Sequence, residues 1–252
     1  MKKLLLTTAF AVTSFSAFSA DSVDISVIGT ISANSCTPAS SGGGVVDYGF
    51  IKQDTLAETG PTILPVKTVA FSINCSGPMN VALRAYSNRP GTVTDAGVEN
   101  IAGTGVVNSD VKNAGLNKDM PIGNSGYGSP TAAGLGQSKG KNIGGYTLTL
   151  PPVSVSLDDQ EATYKYYSYE MPSDAKWVKE SASYGSNNGH SLFSKDVAYY
   201  AYSAGDDAKS PTAFTRLTGT LLVQAYITDK SKLDLSSPIN LDGSSTIELY
   251  YF

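Results

Sequence analysis

The segment TVAFSINC, residues 68–75, sets Val69, Phe71, Ile73 and Cys75 on one side of an extended chain and polar or small residues on the other. Side chains of a strand alternate between faces, so this is the pattern of a β-strand half buried in a core. Runs of the same kind recur: VVDYGFI (45–51), NVALRAYS (80–87), GYTLTL (145–150), VSVSL (153–157), TYKYYSYE (163–170), VAYYAYS (197–203), GTLLVQAYIT (219–228) and STIELYYF (245–252), with VDISVIGTI (23–31) ahead of them. Gly, Pro, Asn and Asp separate the runs. Short alternating segments punctuated in this way predict an all-β sandwich or barrel. No long stretch carries a helical period, and SDAKWVKE (173–180) is at most one short helix. From 88 to 142 the chain is rich in Gly, Asn, Ser and Asp, which reads as a decorated loop or small inserted lobe, not a second core. No internal repeat has a fixed period. The expectation is one domain over 21–252 with an elaborated middle at about 88–142.

The first twenty residues read differently. Lys2 and Lys3 precede an apolar stretch from Leu4 to Phe18 and the small-x-small triplet Ala17-Phe18-Ser19. That is a secretory signal peptide, with the mature chain starting near Ala20 or Asp21. The run is too short, and too broken by Thr and Ser, for a membrane span. In an exported chain the two cysteines, Cys36 and Cys75, read as a disulfide. Closing a loop of about forty residues is worth roughly 4 kcal/mol by chain entropy.

Charge is sparse, at 16% of residues with a net of −4, and no Lys/Arg cluster is present. That argues against nucleic acid and anionic membranes as partners. No metal or cofactor is expected, since a metal site would need more soft ligands than one histidine and a cysteine pair. A catalytic triad would have to use that histidine, His190, in a Gly/Asn-rich stretch with no nucleophile-elbow motif. Asp158-Asp159 and Asp206-Asp207 are adjacent acids, which read as turn residues. GTGVVN and GLGQSKG match neither dinucleotide nor phosphate-loop spacing. An enzyme is not expected.

The chain ends on a strand, and the end of a strand needs a partner. Two kinds of exported protein finish this way. In an outer-membrane barrel the apolar row counts back from a terminal Phe. Here that row is Phe252, Tyr250, Glu248, Thr246, and it puts a charge toward lipid. The other row, Tyr251, Leu249, Ile247, is apolar throughout. A shift of one residue exchanges the faces, so the strand belongs with the penultimate Tyr and the barrel is disfavoured.

A penultimate tyrosine on an alternating terminal strand resembles the subunits of chaperone–usher fimbriae, the pilin-like proteins of Gram-negative bacteria. VIGTISANSC (27–36) is similar to the first pilin strand running into its first cysteine. VVDYGFIKQDTLAETG (45–60), VAFSINC (69–75), GTLLVQAYIT and LDGSSTIELYYF (241–252) are similar to later family segments in the same order. AAGLGQSKGKNIGGYTLTL (132–150) resembles more closely a subgroup of secreted fimbrial-type proteins of unknown function, the GltF-like family. The resemblance implies an immunoglobulin-like sandwich lacking its last strand, open along a groove beside the C-terminal strand. Ile247, Leu249 and Tyr251 would line the groove, and the carboxylate of Phe252 would anchor a chaperone. The implied partners are a periplasmic fimbrial chaperone, an outer-membrane usher and other pilus subunits, and the implied destination is the periplasm and then the cell surface. Polymerising subunits carry a free donor segment, but here only about Asp21 to Asp24 precede ISVIGTI. The expectation is therefore an acceptor that donates poorly, as at a fibre tip; the alternative has 23–31 itself as donor. A self-complete periplasmic sandwich is the second reading of the whole chain.

Tyr164, Tyr166, Tyr199 and Trp177 are candidates for a ligand surface, because aromatic rings stack on sugars such as a host or surface glycan. The alternative is plain strand packing, where Tyr is favoured anyway.

Overall fold

The first sheet is built on a pair of long strands. β3 (Lys67–Met79) pairs antiparallel with β14 (Phe214–Ile227) on one side and with β1 (Cys36–Ser40) on the other. Beyond β14 come β9 (Gly144–Thr149), β6 (Thr131–Gly134) and β5 (Thr104–Val106), while the short β2 (Thr62–Ile63) and β10 (Ser156–Leu157) also pair with β14. The second sheet runs in the order β15 (Ser245–Tyr251), β4 (Val81–Ser87), β13 (Tyr199–Ala204), β11 (Gln160–Ser168) and β12 (Val178–Ser181). β10 also pairs with the start of β11 and so ties the sheets together along one side. A small hairpin, β7 (Gln137–Ser138) with β8 (Lys141–Asn142), stands apart. The computed structural model describes residues 34–118, 120, 130–181, 191–205 and 209–252. The stretch read as a signal peptide, the run at 23–31, His190 and the pair Asp206-Asp207 lie outside them.

The alternation read from the sequence is what closes the sandwich. Val69, Phe71 and Ile73 of β3 meet Val81, Leu83 and Ala85 of β4, together with Leu217, Leu221 and Val223 of β14, in one core. Each Val, Leu, Ile or Phe among them contributes about 1.5–3 kcal/mol by leaving water. At the end where β3 turns into β4, here called the lower end, Cys36 and Cys75 form a disulfide. The fold is an all-β, immunoglobulin-like sandwich.

β14 is buried on both faces, which is why LLVQAYI is nearly all apolar. Its inward residues enter the main core. Its outward Tyr226 is covered by Val107, Val111, Leu116 and Ala132, and Leu222 by Met120. These residues belong to the middle segment, which is therefore a packed lobe on the outer face of the first sheet. A short helix within it, α1 (Ser109–Asn113), starts where the Asn108 side chain accepts the N–H groups of Asp110 and Val111. Two hydrogen bonds tie polar groups under the lobe: the Asn117 N–H donates to Gln224 Oε1 at 2.6 Å, and Thr147 Oγ1 donates to Asn117 Oδ1 at 2.7 Å.

Three expectations on local structure change. VVDYGFI is not a strand: Gly44 and Gly49 take φ of 77° and 64°, and the Asp47 carboxylate accepts the Gly49 N–H at 2.6 Å, which bends the chain out of any ladder. VSVSL is a strand only at β10, because Pro151-Pro152 starts a 3-10 turn over Pro152–Ser154. SDAKWVKE is a turn leading into β12, not a helix.

Candidate functional site

β15 is the edge of its sheet among the described residues, with β4 as its neighbour. The Asn88 N–H donates to Ser244 O at 2.8 Å, and the Phe252 N–H to Asn80 O at 3.2 Å. In an antiparallel ladder, alternate residues carry the bonds. The even residues of β15 therefore bond β4, while Ser245, Ile247, Leu249 and Tyr251 turn their N–H and C=O groups toward the other edge.

The same four residues point their side chains inward. Ile247 and Leu249 pack against the main core. Beside Ile247 the sandwich opens into a groove of about 1230 Å³. Val69 and Phe71 of β3 and Leu221 and Val223 of β14 form part of its floor. One bank is the 45–51 segment with Tyr48. The other is the connection from β14 to β15, which contributes Leu233, Leu235, Ile239 and Leu241. Asp47 is the one charged residue among those that line it. Tyr48 is fixed by donating to Val223 O at 3.3 Å and accepting the Ala225 N–H at 3.1 Å, and burial raises its pKa. Tyr146, beneath the upper end of β15, hydrogen-bonds the Ser245 hydroxyl; burial pushes its pKa up to about 12. An unpaired strand edge beside an apolar trough can hold an extended peptide: the edge supplies backbone hydrogen bonds and the trough takes alternate side chains.

The lower end of the groove is closed. Tyr251, still 46% exposed, reaches across to β1, where its hydroxyl accepts the Cys36 N–H at 3.3 Å and donates to Cys36 O at 3.4 Å. Phe252 lies on the opposite face of the sheet, its ring 5.1 Å from that of Trp177. The structure thus brings Ile247 and the Ser245 hydroxyl to the groove and Leu249 to the core beside it. It puts Tyr251 at the closed end, and the Phe252 side chain outside.

Of the candidate ligand surface, Tyr166 and Tyr199 are buried at 0% and 4% exposure and serve packing. Tyr199 meets Tyr250 edge-on, and the Arg84 guanidinium lies over the Tyr199 and Tyr86 rings. Tyr164 lies under Lys179, whose Nζ is 3.5 Å from the ring centroid. Trp177 is occupied with Phe252. These side chains form no common platform for a sugar, because strand packing and cation–π contacts have taken the rings.

Lys165 was not singled out by sequence reasoning. It is fully buried, with Nζ donating to Ser191 O at 3.0 Å and 3.8 Å from the Tyr200 ring centroid. Burial lowers its pKa to about 7, against the opposing pull of Glu180. In YKYYSY it looks like one more surface lysine, so no local signal could have found it.

The model of a protein family of unknown function, DUF1120, matches residues 25–147. Protein GltF of Escherichia coli (strain K12) is 28% identical over 258 residues, covering 96% of this chain and 94% of its own length. The uncharacterized protein YhcF of the same organism is 27% identical over 250 residues, covering 98% of each. No solved structure matches. The chain is thus similar along nearly its whole length to two bacterial proteins whose names state no activity.

Proposed function

We propose that this protein is an exported assembly subunit of the fimbrial type that accepts a β-strand from another polypeptide. The observation that carries the reading is the outward-turned edge of β15 beside the groove, where backbone groups and apolar floor coincide over the same residues. A periplasmic chaperone would supply the strand first, and a neighbouring subunit at the outer-membrane usher would replace it. The groove is lined mostly by apolar side chains, with Asp47 as its one charged residue, which suits the pairing of a strand. The signal-like N-terminus and the disulfide suit passage through an oxidising compartment.

The test is expression of the chain in the periplasm with and without a fimbrial chaperone. The expected result is low yield alone and recovery as a one-to-one complex, lost in Ile247→Asp, which places a charge at the groove wall. Accumulation of the chain alone as a stable oxidised monomer, with no complex formed, would instead make the sandwich self-sufficient and remove the subunit reading.

A further inference from the structure

We infer that residues 234–240, in the connection from β14 to β15, form a latched strap over the groove. The strap swings out as a unit, and the Lys139 side chain at the tip of the β7–β8 hairpin is its latch. What the motion serves rests on the reading above; the motion itself belongs to the lone chain.

Both ends of the strap are pinned. Ahead of it, the Thr228 N–H donates to Ile143 O at 2.9 Å and the Lys230 N–H to Ala57 O at 3.0 Å. Lys232 Nζ sits between Asp95 Oδ1 at 2.7 Å and Asp229 Oδ2 at 2.9 Å. Behind it, the Asp242 N–H donates to Leu135 O at 2.9 Å, and the Asp242 carboxylate accepts two bonds from the Arg89 guanidinium, at 2.7 and 2.8 Å. Between these anchors the backbone of 234–240 makes no backbone–backbone hydrogen bond among the described residues. Leu235 and Ile239 are half-buried against the main core and line the groove, while the other residues of the strap are exposed. A stretch without a ladder and with few buried contacts opens locally at small cost.

One polar contact reaches the strap from the rest of the described chain. Lys139 Nζ donates to Asp234 Oδ2 at 3.0 Å and to Ser236 Oγ at 2.6 Å. Lys139 and Gly140 take φ of 49° and 74°, the left-handed pair of a two-residue hairpin turn. The Leu135 N–H to Gly144 O and the Ile143 N–H to Gly136 O root this hairpin on the first sheet, at 3.2 and 3.1 Å. The glycine-rich GLGQSKG stretch (134–140) thus builds an arm that carries an ammonium group out to the strap. The Lys139 and Asp234 side chains are 43% and 46% exposed, so the pair is weak and screened by salt. It holds the strap without fixing it. Closed, Leu235 and Ile239 shield part of the trough from water. Open, they surrender that apolar surface to an incoming side chain. Re-exposing two half-buried aliphatic side chains sets the open fraction on the order of one per cent.

The experiment is NMR relaxation dispersion on the isotope-labelled, oxidised chain from residue 21, with no partner present. The expected result is one exchange process shared by the Leu235 and Ile239 methyl groups and the amides of the strap. Its minor-state methyl shifts should lie near those of an unfolded chain, and the hairpin and β15 should be silent. In Lys139→Met the open population should rise about threefold, the worth of an exposed ion pair, and Lys139→Arg should restore the native value. Added salt should raise the open population of the native chain and leave that of Lys139→Met unchanged. No exchange at Leu235 and Ile239 in either chain overturns the strap, and equal populations in the native and Lys139→Met chains overturn the latch. Neither outcome bears on complex formation with a chaperone, so failure here and failure of the subunit reading are told apart.

Discussion

Replacing Lys165 by Met should erase a large part of the rise in stability expected of this protein on the alkaline side of neutrality. The folded-state pKa of Lys165 is lowered by burial to about 7, whereas an exposed lysine titrates near 10.5. Below pH 7 both states carry the proton, so the cost of burying the charge is fully present. Between about 7 and 10.5 the unfolded chain holds a proton that the folded chain has released. Stability therefore climbs with pH, by about 1.4 kcal/mol per pH unit for this one group. From pH 7 to 9.5 that amounts to about 3 kcal/mol. Met has a similar length and volume and no charge, so the curve of the Lys165→Met chain lacks this slope. Losing the bond to Ser191 O adds a cost, but one independent of pH. The assay is urea unfolding of both oxidised chains at several pH values over that range, where the difference between the two free energies cancels other titrating groups. Parallel pH profiles for the native and Lys165→Met chains would refute the reasoning, since they would mean that the buried amine does not change protonation on unfolding.

Further perturbations have definite outcomes. The double change Cys36→Ser with Cys75→Ser should cost up to about 4 kcal/mol, read as a drop in Tm relative to the oxidised chain. Gly144→Ala would place a Cβ 2.0 Å from Tyr226 O, a backbone atom that cannot swing away, so thermal unfolding should show a loss of about 2 kcal/mol or more. Removing Phe252 uncovers the sole tryptophan, Trp177. Its emission should shift to the red and stability should fall by about 1 kcal/mol, whereas an unchanged spectrum would contradict the ring contact.

The sandwich was legible because its core strands alternate. Val69, Phe71 and Ile73 announce their face, and counting back from Tyr251 and from Phe252 separates the two sides of the final strand. Other features depend on long-range packing that local pattern does not carry. The 45–51 segment has a strand-like composition, but two glycines in left-handed conformation, Gly44 at its start and Gly49 within it, bend it into a groove bank. The middle lobe has too few apolar residues to show a period. Its Val107, Val111 and Leu116 matter because they gather on Tyr226, more than a hundred residues away. The run LLVQAYI, apolar except for Gln224, fits a strand covered on both faces, but the sequence does not say what covers the second. Tyr166 and Tyr199 are indistinguishable in sequence from exposed rings; burial against neighbouring strands decides their role. The closed end of the groove was likewise invisible, since Cys36 and Tyr251 are 215 residues apart.

The central claim, that the outer edge of β15 stands ready to take a strand, is tested most directly by amide hydrogen exchange along Ser245–Tyr251. The chain would be measured alone and again in complex with a periplasmic fimbrial chaperone. In the lone chain the even residues should be protected by β4 while Ile247 and Leu249 exchange rapidly, and in the complex these two should become protected as well. Slow exchange at Ile247 and Leu249 in the lone chain would mean that the edge is already covered from within, and would contradict the account.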